Sequence, residues 1–444
     1  MKSKIFLYSF ITALGGLLFG FDTAVINGAL PFFSAYFKLD NGMQGFAVGS
    51  ALLGCVVGAI TIGRPGDKYG RKYMLIWMAA LMFISAIGSG AANDITTFII
   101  FRIIGGLGVG GASVLSPMYI TEIAPPAYRG RFTITFQLAI VLGILLAFFS
   151  DYLLIDTGVN NWRWMFIAEG LPAVAFFVLL FFVSKSPRWL VKSNNIEEAR
   201  EVLRNVNPEA ETEKLLEEIK DSIDTDVVEH FKYLFKKPYL RLVVIGIFVG
   251  MFNQFTGINV IMYYSSNIFI TAGFSADSAL AQSVLVGLTN LIFTVLAMIL
   301  IDKIGRKFML LFGAVGMSIF LAVFSYFYLN QIEGYVLLIM LLGFVAFFAF
   351  SQGAVIWVLL AEMFPNNIRA RGSSIGSFSL WTFNTITAFL FPVVAATFEG
   401  SNGIGYAFIF YAVMTIISFF FFKVFLIETK GKSLEELEKH MLKQ

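Results

Sequence analysis

The sequence has few of the side chains that bind metals or act as nucleophiles. It contains one cysteine, Cys55, and two histidines, His230 and His440. A single cysteine excludes an internal disulfide and any metal site built from several cysteines. Both histidines lie in polar segments, so no imidazole is predicted inside an apolar run as a ligand or proton relay. The sequence contains no recognisable pair of a nucleophile and a base, and no recognisable phosphate-binding loop. The glycines from Gly105 to Gly111 fit close helix packing instead. We therefore expect no cofactor and no enzymatic activity.

Charged residues are also scarce. They make up 14% of the 444 residues, whereas 58% are hydrophobic and 50 are phenylalanine. This composition excludes an ordinary soluble globular protein. The apolar residues form twelve runs of about 20 residues, the length that crosses a bilayer as a helix. The first run, from about Ile5 to Leu30, is too long for a signal peptide and is expected to remain as span 1. The runs are centred near Gly16, Leu53, Met82, Gly108, Leu142, Val174, Met251, Leu291, Val315, Val345, Ile386 and Met414.

The basic residues lie almost entirely on one side of this topology. Of the 32 lysine and arginine residues, only Lys38 and Arg163 fall on the side opposite the N-terminus, and Arg102 lies within a span. Under the positive-inside rule, this bias places both termini in the cytoplasm. The net charge of +3 is therefore an orientation signal of a multi-pass cell (inner) membrane protein. The basic loops are expected to face the headgroups of the lipid bilayer, and no nucleic acid partner is indicated.

The polar stretch between spans 6 and 7 is expected to form short amphipathic helices. Asn194 followed by Glu197 resembles a capping box, and Pro208 separates two groups of apolar residues at helical spacing. The groups are Ala199, Val202, Leu203 and Val206, and then Leu215, Leu216, Ile219 and Ile223. The predicted organisation is a six-helix bundle at 1–183, a cytoplasmic helical linker at 184–240, a second six-helix bundle at 241–427 and a tail at 428–444.

Short charged motifs occur once in each half of the chain. GRPGDKYGRK at 63–72 has a counterpart in DKIGRK at 302–307, and EIAPPAYRGR from Glu122 has one in EMFPNNIRARG from Glu362. Each pair falls in the same loop of its half. This predicts a duplicated bundle with a pseudo-twofold axis along the membrane normal, in which one half moves against the other around a central site.

The charges of these motifs suggest a cytoplasmic gate. Acidic residues recur beside basic ones in both halves, which topology alone does not require. Ion-pair clusters would lock the cytoplasmic ends while the site faces outward, and exposed pairs worth about 0 to 1 kcal/mol each are easily broken. The alternative is that the charges anchor loops at the lipid interface. The predicted gate residues are Asp67, Arg71, Glu122 and Arg129 in the first half, and Asp302, Arg306, Glu362 and Arg369 in the second.

Span 7 contains three side-chain amides in an otherwise apolar run. Asn253, Gln254 and Asn259 fall within seven positions. Unpaired amides are costly in hydrocarbon, so these side chains either join neighbouring helices or line a polar cavity, and the residues alone leave both open. Gly257, which stands between two β-branched residues, is expected to loosen the helix and favours a cavity.

Two charged residues lie inside spans of the first half, Asp22 in span 1 and Arg102 in span 4. A buried lone carboxylate is costly, so the two are expected to be partners. Burial favours the protonated aspartate and the arginine favours the ionised one, so a motion that separates them changes protonation. This predicts proton coupling through Asp22. Glu169 in span 6 is a second candidate, for which the alternative is a carboxylate near the extracellular or cavity surface.

The motifs resemble those of the sugar porter family of the major facilitator superfamily over nearly the whole chain. GRPGDKYGRK and DKIGRK mark the superfamily; SPRWL at 186–190, NQFTGINVIMYY at 253–264, EMFPNNIRARG at 362–372 and ETKGKSLEELE at 428–438 are also typical of the family. The pattern is similar to that of bacterial sugar/proton symporters. The resemblance implies an all-α membrane protein of twelve transmembrane helices in two six-helix bundles. It also implies import of a pentose or hexose by proton symport through alternating access, and we expect the chain to function as a monomer.

The resemblance also implies a set of sugar contacts. Neutral amides can donate to and accept from hydroxyl groups, and indole rings cover the apolar C–H faces of a sugar. For the tryptophans the alternative is interfacial anchoring or core packing, and for Asn290 and Asn384 it is interhelical hydrogen bonding. The implied contacts are Gln137 in span 5, Asn253, Gln254 and Asn259 in span 7, Asn290 in span 8, Trp357 in span 10, Trp381 and Asn384 in span 11, and Phe19, which would close the pocket from span 1.

The chain departs from the family pattern at several positions, and Asn253 in span 7 is one of those in the pocket. Family members usually carry two glutamines where Asn253 and Gln254 stand, so the shorter Asn253 is expected to shift the sugar preference. Facilitative relatives generally lack a carboxylate where Asp22 stands, whereas proton symporters have one. Two other functions stay open: a facilitative uniporter with the same pocket, and a membrane sugar sensor, for which the tail from Glu428 to Gln444 looks too short.

Overall fold

The computed structural model describes residues 3–124, 129–206, 209–224, 234–235, 239–332, 334–364, 369–398, 402–428 and 430. These ranges are mostly helical and contain no strand. The helices are α1 Ser3–Phe37, α2 Asn41–Thr61, α3 Gly63–Tyr69, α4 Arg71–Ala91, α5 Ile95–Ile123, α6 Arg129–Leu154, α7 Asn161–Ala168, α8 Gly170–Leu179, α9 Pro187–Lys192, α10 Ile196–Val206, α11 Glu209–Asp224, α12 Tyr239–Gln254, α13 Ile258–Thr271, α14 Ala276–Ile304, α15 Arg306–Leu329, α16 Tyr335–Phe348, α17 Ala354–Glu362, α18 Arg369–Thr397 and α19 Asn402–Phe425.

Twelve helical stretches among the described residues are long and apolar enough to cross a membrane, from Lys4–Phe37 to Asn402–Phe425. Each contains the centre of one predicted run, which confirms the predicted spans. Three spans are built from two helices: α7 and α8 form span 6, α12 and α13 form span 7, and α16 and α17 form span 10. In span 10 a π-helical turn, Ala349–Gly353, joins the two helices. The chain is therefore an all-α membrane protein.

The chain divides into two compact units. The first unit comprises Met1–Val25, Ser50–Ser150 and Asn160–Val228. The second unit comprises Ile26–Gly49, Asp151–Val159 and Glu229–Gln444. The last part of α1 therefore groups with the spans of the second half of the chain.

Close helix crossings in the first unit depend on glycine. α1 crosses α6 at Gly20, where a Cβ atom would lie 1.9 Å from the carbonyl oxygen of Ile140. α5 crosses α2 at Gly106, where a Cβ atom would lie 1.9 Å from the carbonyl oxygen of Ala51. Helix backbones approach this closely only where a side chain is missing. The glycine run of span 4 thus serves helix packing, as predicted.

The linker contains the expected amphipathic helices. In α10 the four predicted apolar residues are buried, and in α11 Leu216 is buried. Pro208 lies outside the described residues, as does the side chain of Ile223. The capping-box prediction was wrong: Asn194 adopts a φ of 63°, and its N–H group donates to the carbonyl oxygen of Val191 beyond the end of α9. Asn194 therefore lies at the end of α9 and does not cap α10, which begins at Ile196. Glu197 forms an ion pair with Arg200.

The repeated motif forms the same backbone structure in both halves. Gly70 before α4 has φ 94° and ψ 149°, and Gly305 before α15 has φ 101° and ψ 152°. Both conformations favour glycine. Lys72 Nζ donates to the carbonyl oxygen of Phe181 at 2.9 Å, and Lys307 Nζ donates to that of Leu426 at 2.6 Å. The duplication read from the sequence is therefore visible in the structure of each loop.

Candidate functional site

Span 7 is broken where the sequence places its amides. α12 ends at Gln254 and α13 begins at Ile258, and Gly257 between them has φ 83° and ψ 8°. Residues other than glycine rarely adopt this left-handed backbone conformation. A Cβ atom on Gly257 would also lie 2.4 Å from Cδ2 of Tyr411. The expected loosening of the helix is thus a full interruption that requires glycine.

The amides at this break form a continuous hydrogen-bonded chain. Asn259 Nδ2 donates to Gln254 Oε1 at 2.6 Å, and Gln254 Nε2 donates to Asn253 Oδ1 at 2.9 Å. Asn253 Nδ2 donates to Gln352 Oε1 at 3.4 Å. We call these four residues the amide chain. Three of them were predicted to contact sugar, and only the last of these bonds reaches another span.

Gln352 was missed by the sequence analysis. It lies in the π-helical turn of span 10 and is fully buried. Its Nε2 atom has no hydrogen-bond partner among the described residues. The available signal was an amide in the apolar run of span 10, but the turn that directs it towards Asn253 depends on tertiary packing.

Span 11 adds polar and aromatic groups to the second unit. Tyr263 Oη lies 3.2 Å from Oδ1 and 2.9 Å from Nδ2 of Asn384, so the tyrosine can donate to the amide or accept from it. The neighbouring Tyr264 donates to the carbonyl oxygen of Ala388 at 2.7 Å. Asn384 and Trp381 are both buried. One face of span 11 is therefore hydrogen-bonded to α13.

The remaining predicted sugar contacts are distributed over both units. Asn290 on α14 is buried, whereas Trp357 on α17 is 41% exposed. Both belong to the second unit. Gln137 on α6 and Phe19 on α1 are half-buried and belong to the first unit.

Asp22 and Arg102 are partners, as predicted. Arg102 Nη1 lies 2.5 Å from Asp22 Oδ1, and Nη2 donates to the carbonyl oxygen of Asp22 at 3.3 Å. The guanidinium group also lies 5.4 Å from the ring centre of Phe166. Glu169 is 1% exposed and interacts electrostatically with both Asp22 and Arg102. The cluster therefore holds two buried carboxyl groups and one guanidinium group.

The first half has a compact ion cluster at its copy of the repeated charged motif. Arg71 Nη1 lies 2.9 Å from Asp67 Oδ1, and Nη2 lies 3.0 Å from Glu122 Oε1. Glu122 also accepts a hydrogen bond from the Ser186 hydroxyl. The side chains of Arg71 and Glu122 are only 8% and 9% exposed, so this pair is buried, unlike the exposed pairs considered from the sequence. Removing one member of a buried pair leaves an uncompensated charge.

In the second half, the carboxylate of Glu428 binds to the backbone of the equivalent motif, DKIGRK. Its Oε1 and Oε2 atoms accept from the backbone N–H groups of Arg306 at 2.9 Å and Lys307 at 3.0 Å, at the N-terminus of α15. Burial alone would raise the pKa of Glu428, but hydrogen bonds from the backbone of Lys430, Arg306 and Lys307 outweigh it and lower the pKa. Glu428 was not among the predicted gate residues, although it stands in the quoted ETKG motif. The side chains of four predicted gate residues lie outside the description: Arg129, Asp302, Glu362 and Arg369.

A second polar network, not predicted from the sequence, joins the far end of span 1 to spans 7 and 8. Asn27 Oδ1 accepts from the N–H group of Ser266 at 2.8 Å and from the Ser265 hydroxyl at 3.2 Å. Asn27 Nδ2 donates to the Ser283 hydroxyl at 3.0 Å. All four residues are 1% exposed or less. We call this group the Asn27 network; all of it lies in the second unit.

Comparison with known proteins places these features in a family. The family profile described as "Sugar (and other) transporter" matches residues 8–441. The chain is 39% identical over 446 residues to the arabinose-proton symporter of Bacillus subtilis (strain 168), covering 99% of this chain and 95% of that protein. It is 38% identical over 475 residues to the D-xylose-proton symporter of Escherichia coli (strain K12), covering 98% of this chain and 96% of that protein.

Solved structures agree with the fold. The inward open conformation of the xylose transporter XylE from E. coli matches with a TM-score of 0.86 at 36% identity, covering 98% of this chain and 99% of that chain. The major facilitator superfamily proton:xylose symporter XylE bound to 6-bromo-6-deoxy-D-glucose matches with a TM-score of 0.82 at 37% identity, covering 99% of each chain. The chain therefore has the major facilitator fold of two six-helix bundles.

Proposed function

The chain belongs to the sugar (and other) transporter family, and on that premise we propose that it imports a monosaccharide together with a proton by alternating access. The amides of span 7 and the aromatic residues of spans 10 and 11 provide donors, acceptors and apolar faces suited to a neutral pentose or hexose. Relatives with similar identity are named for arabinose and xylose, so the family does not single out one sugar.

The observation that carries proton coupling is the cluster of Asp22, Arg102 and Glu169. It is buried, and it holds two carboxyl groups against one guanidinium group. If Arg102 moves away, Asp22 becomes a lone buried carboxyl group and takes up a proton, since an ionised one is costly there. A conformational change that shifts Arg102 thus binds or releases a proton. Glu169 is proposed to share this role because its buried carboxyl group interacts electrostatically with Asp22 and Arg102.

Alternating access requires that each side of the membrane closes in turn. The Asn27 network lies towards the end of span 1 opposite the N-terminus and is proposed to close the extracellular side. Two groups are proposed to act at the cytoplasmic side, where the charge bias also places both termini. They are the cluster of Arg71, Asp67 and Glu122, and Glu428 at the N-terminus of α15. The protein is proposed to work as a monomer, because each chain carries the coupling cluster and both groups of gate residues.

The alternative is a facilitative uniporter with the same sugar contacts. One observation favours it: the 2.5 Å contact between Asp22 and Arg102 also fits a purely structural ion pair. The two functions differ in whether a proton accompanies the sugar.

Uptake of labelled pentoses and hexoses in a transporter-deficient strain tests the proposed function. We expect at least one sugar of the panel to accumulate inside the cells and an uncoupler to abolish the accumulation, since it removes the proton gradient. Addition of that sugar to deenergised cells should raise the external pH. Uptake that only equilibrates, with no pH change, would establish the uniporter, and no uptake or binding of any sugar would refute the proposal.

The gate assignment predicts that Arg71→Met shifts the protein towards the inward-open state. The substitution leaves the Glu122 carboxylate buried without its cation, which costs about 3–5 kcal/mol in the state that contains the cluster. Distances between spin labels on the cytoplasmic ends of the two bundles should therefore lengthen. The control is Arg200→Met, which breaks an ion pair to Glu213 whose members are 26% and 58% exposed. Equal distance distributions in the two variants would argue for loop anchoring instead.

A further inference from the structure

The amide chain has a single direction. Each NH₂ group, from Asn259 through Gln254 and Asn253, donates to the amide oxygen of the next residue towards Gln352. An amide presents an acceptor on one side and a donor on the other. If one member turned over, its two bonds would place donor against donor or acceptor against acceptor. The orientation of every amide in the chain is therefore tied to that of its neighbours.

The two ends of the chain differ in their surroundings. Asn259, at the first end, is half-buried, whereas Gln352 is fully buried in the π-helical turn. Gln352 Nε2 has no partner among the described residues. Buried polar atoms without partners are few in native proteins and destabilise the fold, so one that is retained calls for an explanation. A leucine or methionine at this position would fill the same space without an unpaired donor.

We propose that Gln352 is a positioning residue that fixes the orientation of the amide chain and thereby sets the discrimination between sugar epimers. This inference rests on the proposed transport of a monosaccharide. Gln352 is fully buried and acts through Asn253, which was already expected to shift the sugar preference because it is one methylene shorter than the usual glutamine. Although Asn253 is shorter than glutamine, its Nδ2 atom still reaches Gln352 Oε1 on span 10, at a distance of 3.4 Å.

Discrimination follows from the fixed orientation. Epimers differ in the direction of one hydroxyl group, so a site with a fixed pattern of donors and acceptors leaves a group unpaired with the wrong epimer. If Asn253 is free to turn over, Gln254 and Asn259 can follow it, and the site then offers either pattern. Loss of Gln352 is therefore expected to relax selectivity more than it lowers the transport rate.

The test is Gln352→Met, which keeps the length and volume of the side chain but removes its hydrogen bonds. Vmax/KM is measured for D-xylose, L-arabinose, D-glucose and D-galactose. We expect the ratio between the best sugar and the poorest one to fall by at least about fivefold, through KM, while Vmax for the best sugar stays within about twofold. Ser351→Ala is the matched control, because Ser351 is equally buried in the same turn but bonds to the carbonyl oxygen of Phe347 at 2.6 Å.

A length exchange provides the rescue. Gln352→Asn alone shortens one side of the contact and should relax selectivity as the methionine does. Asn253→Gln combined with Gln352→Asn moves the methylene across the contact and should restore at least half of the wild-type ratio on a logarithmic scale. The exchange also decides the matter if the methionine variant does not reach the membrane.

The outcomes separate this inference from the proposed function. If the wild type carries no sugar, the proposed function fails. If the wild type carries sugar and Gln352→Met keeps the wild-type ratio, or Ser351→Ala lowers it equally, only the positioning role of Gln352 is refuted. Failure of the length exchange to restore the ratio lost in Gln352→Asn also refutes it.

Discussion

Asp22→Asn is expected to abolish the uphill accumulation of sugar while downhill exchange continues. A gradient of one pH unit corresponds to about 1.4 kcal/mol per proton, so a symporter that moves one proton per sugar accumulates its substrate about tenfold. Asparagine keeps an oxygen that accepts from Arg102 Nη1 but has no titrating proton, so the variant should only equilibrate the sugar. Proteoliposomes with an imposed pH gradient measure accumulation, and counterflow without a gradient measures exchange.

A second carboxylate provides the control for this variant. Asp94 lies outside the coupling cluster and caps α5, where its Oδ1 accepts from the N–H group of Thr97 at 2.9 Å. Asparagine is an equally good cap, so Asp94→Asn should accumulate sugar as the wild type does. Pumping that persists in Asp22→Asn would transfer the coupling role elsewhere, and Glu169→Gln in the same assay would then identify whether Glu169 carries it.

Gly257→Ala is expected to reduce transport to below about a tenth of the wild-type rate and to lower thermal stability. The left-handed backbone costs a side chain about 1–2 kcal/mol, and the new Cβ atom would lie 2.4 Å from Cδ2 of Tyr411. Relief of this overlap requires a shift of α12, α13 or span 12, and a shift of α12 or α13 disturbs the amide chain. Small displacements of binding groups cost large factors in rate. Transport assays and thermal unfolding in detergent measure the two effects.

A substitution at Gly158 is the control that separates backbone strain from steric overlap with Tyr411. It has a φ of 102°, and a Cβ atom built on it meets nothing within 4 Å. Gly158→Ala should therefore show the backbone cost alone and retain transport. Equal losses in the two variants would mean that backbone strain accounts for the effect and that the contact with Tyr411 does not matter.

The spans were predictable because the hydrocarbon thickness sets the length of an apolar helix, and no tertiary contact changes that requirement. The pairing of Asp22 with Arg102 was predictable for a related reason: a charge inside the membrane needs a partner, and the first half offered few. The burial of Glu169 beside Asp22 was not decided by the sequence, since one carboxylate near a helix end fits several environments.

Other features were set by tertiary packing and carried little local signal. Gln352 is one amide in an apolar run, and its partner is chosen by a π-helical turn whose position depends on the neighbouring helices. The Asn27 network consists of an asparagine and serines, which are common at helix contacts of membrane proteins generally. The capping-box prediction failed because Asn194 was used to end the preceding helix, a competition that the four-residue pattern does not reveal.

The break at Gly257 has an electrostatic consequence for the kind of substrate the site suits. An α-helix carries a partial positive charge at its N-terminus and a partial negative charge at its C-terminus. The C-terminus of α12 and the N-terminus of α13 are separated by three residues, so the two partial charges lie close together and largely cancel at longer range. A net charge gains little there, whereas a molecule with many small dipoles can bond to both ends. This arrangement favours a neutral polyhydroxyl compound over its phosphorylated or carboxylated derivatives.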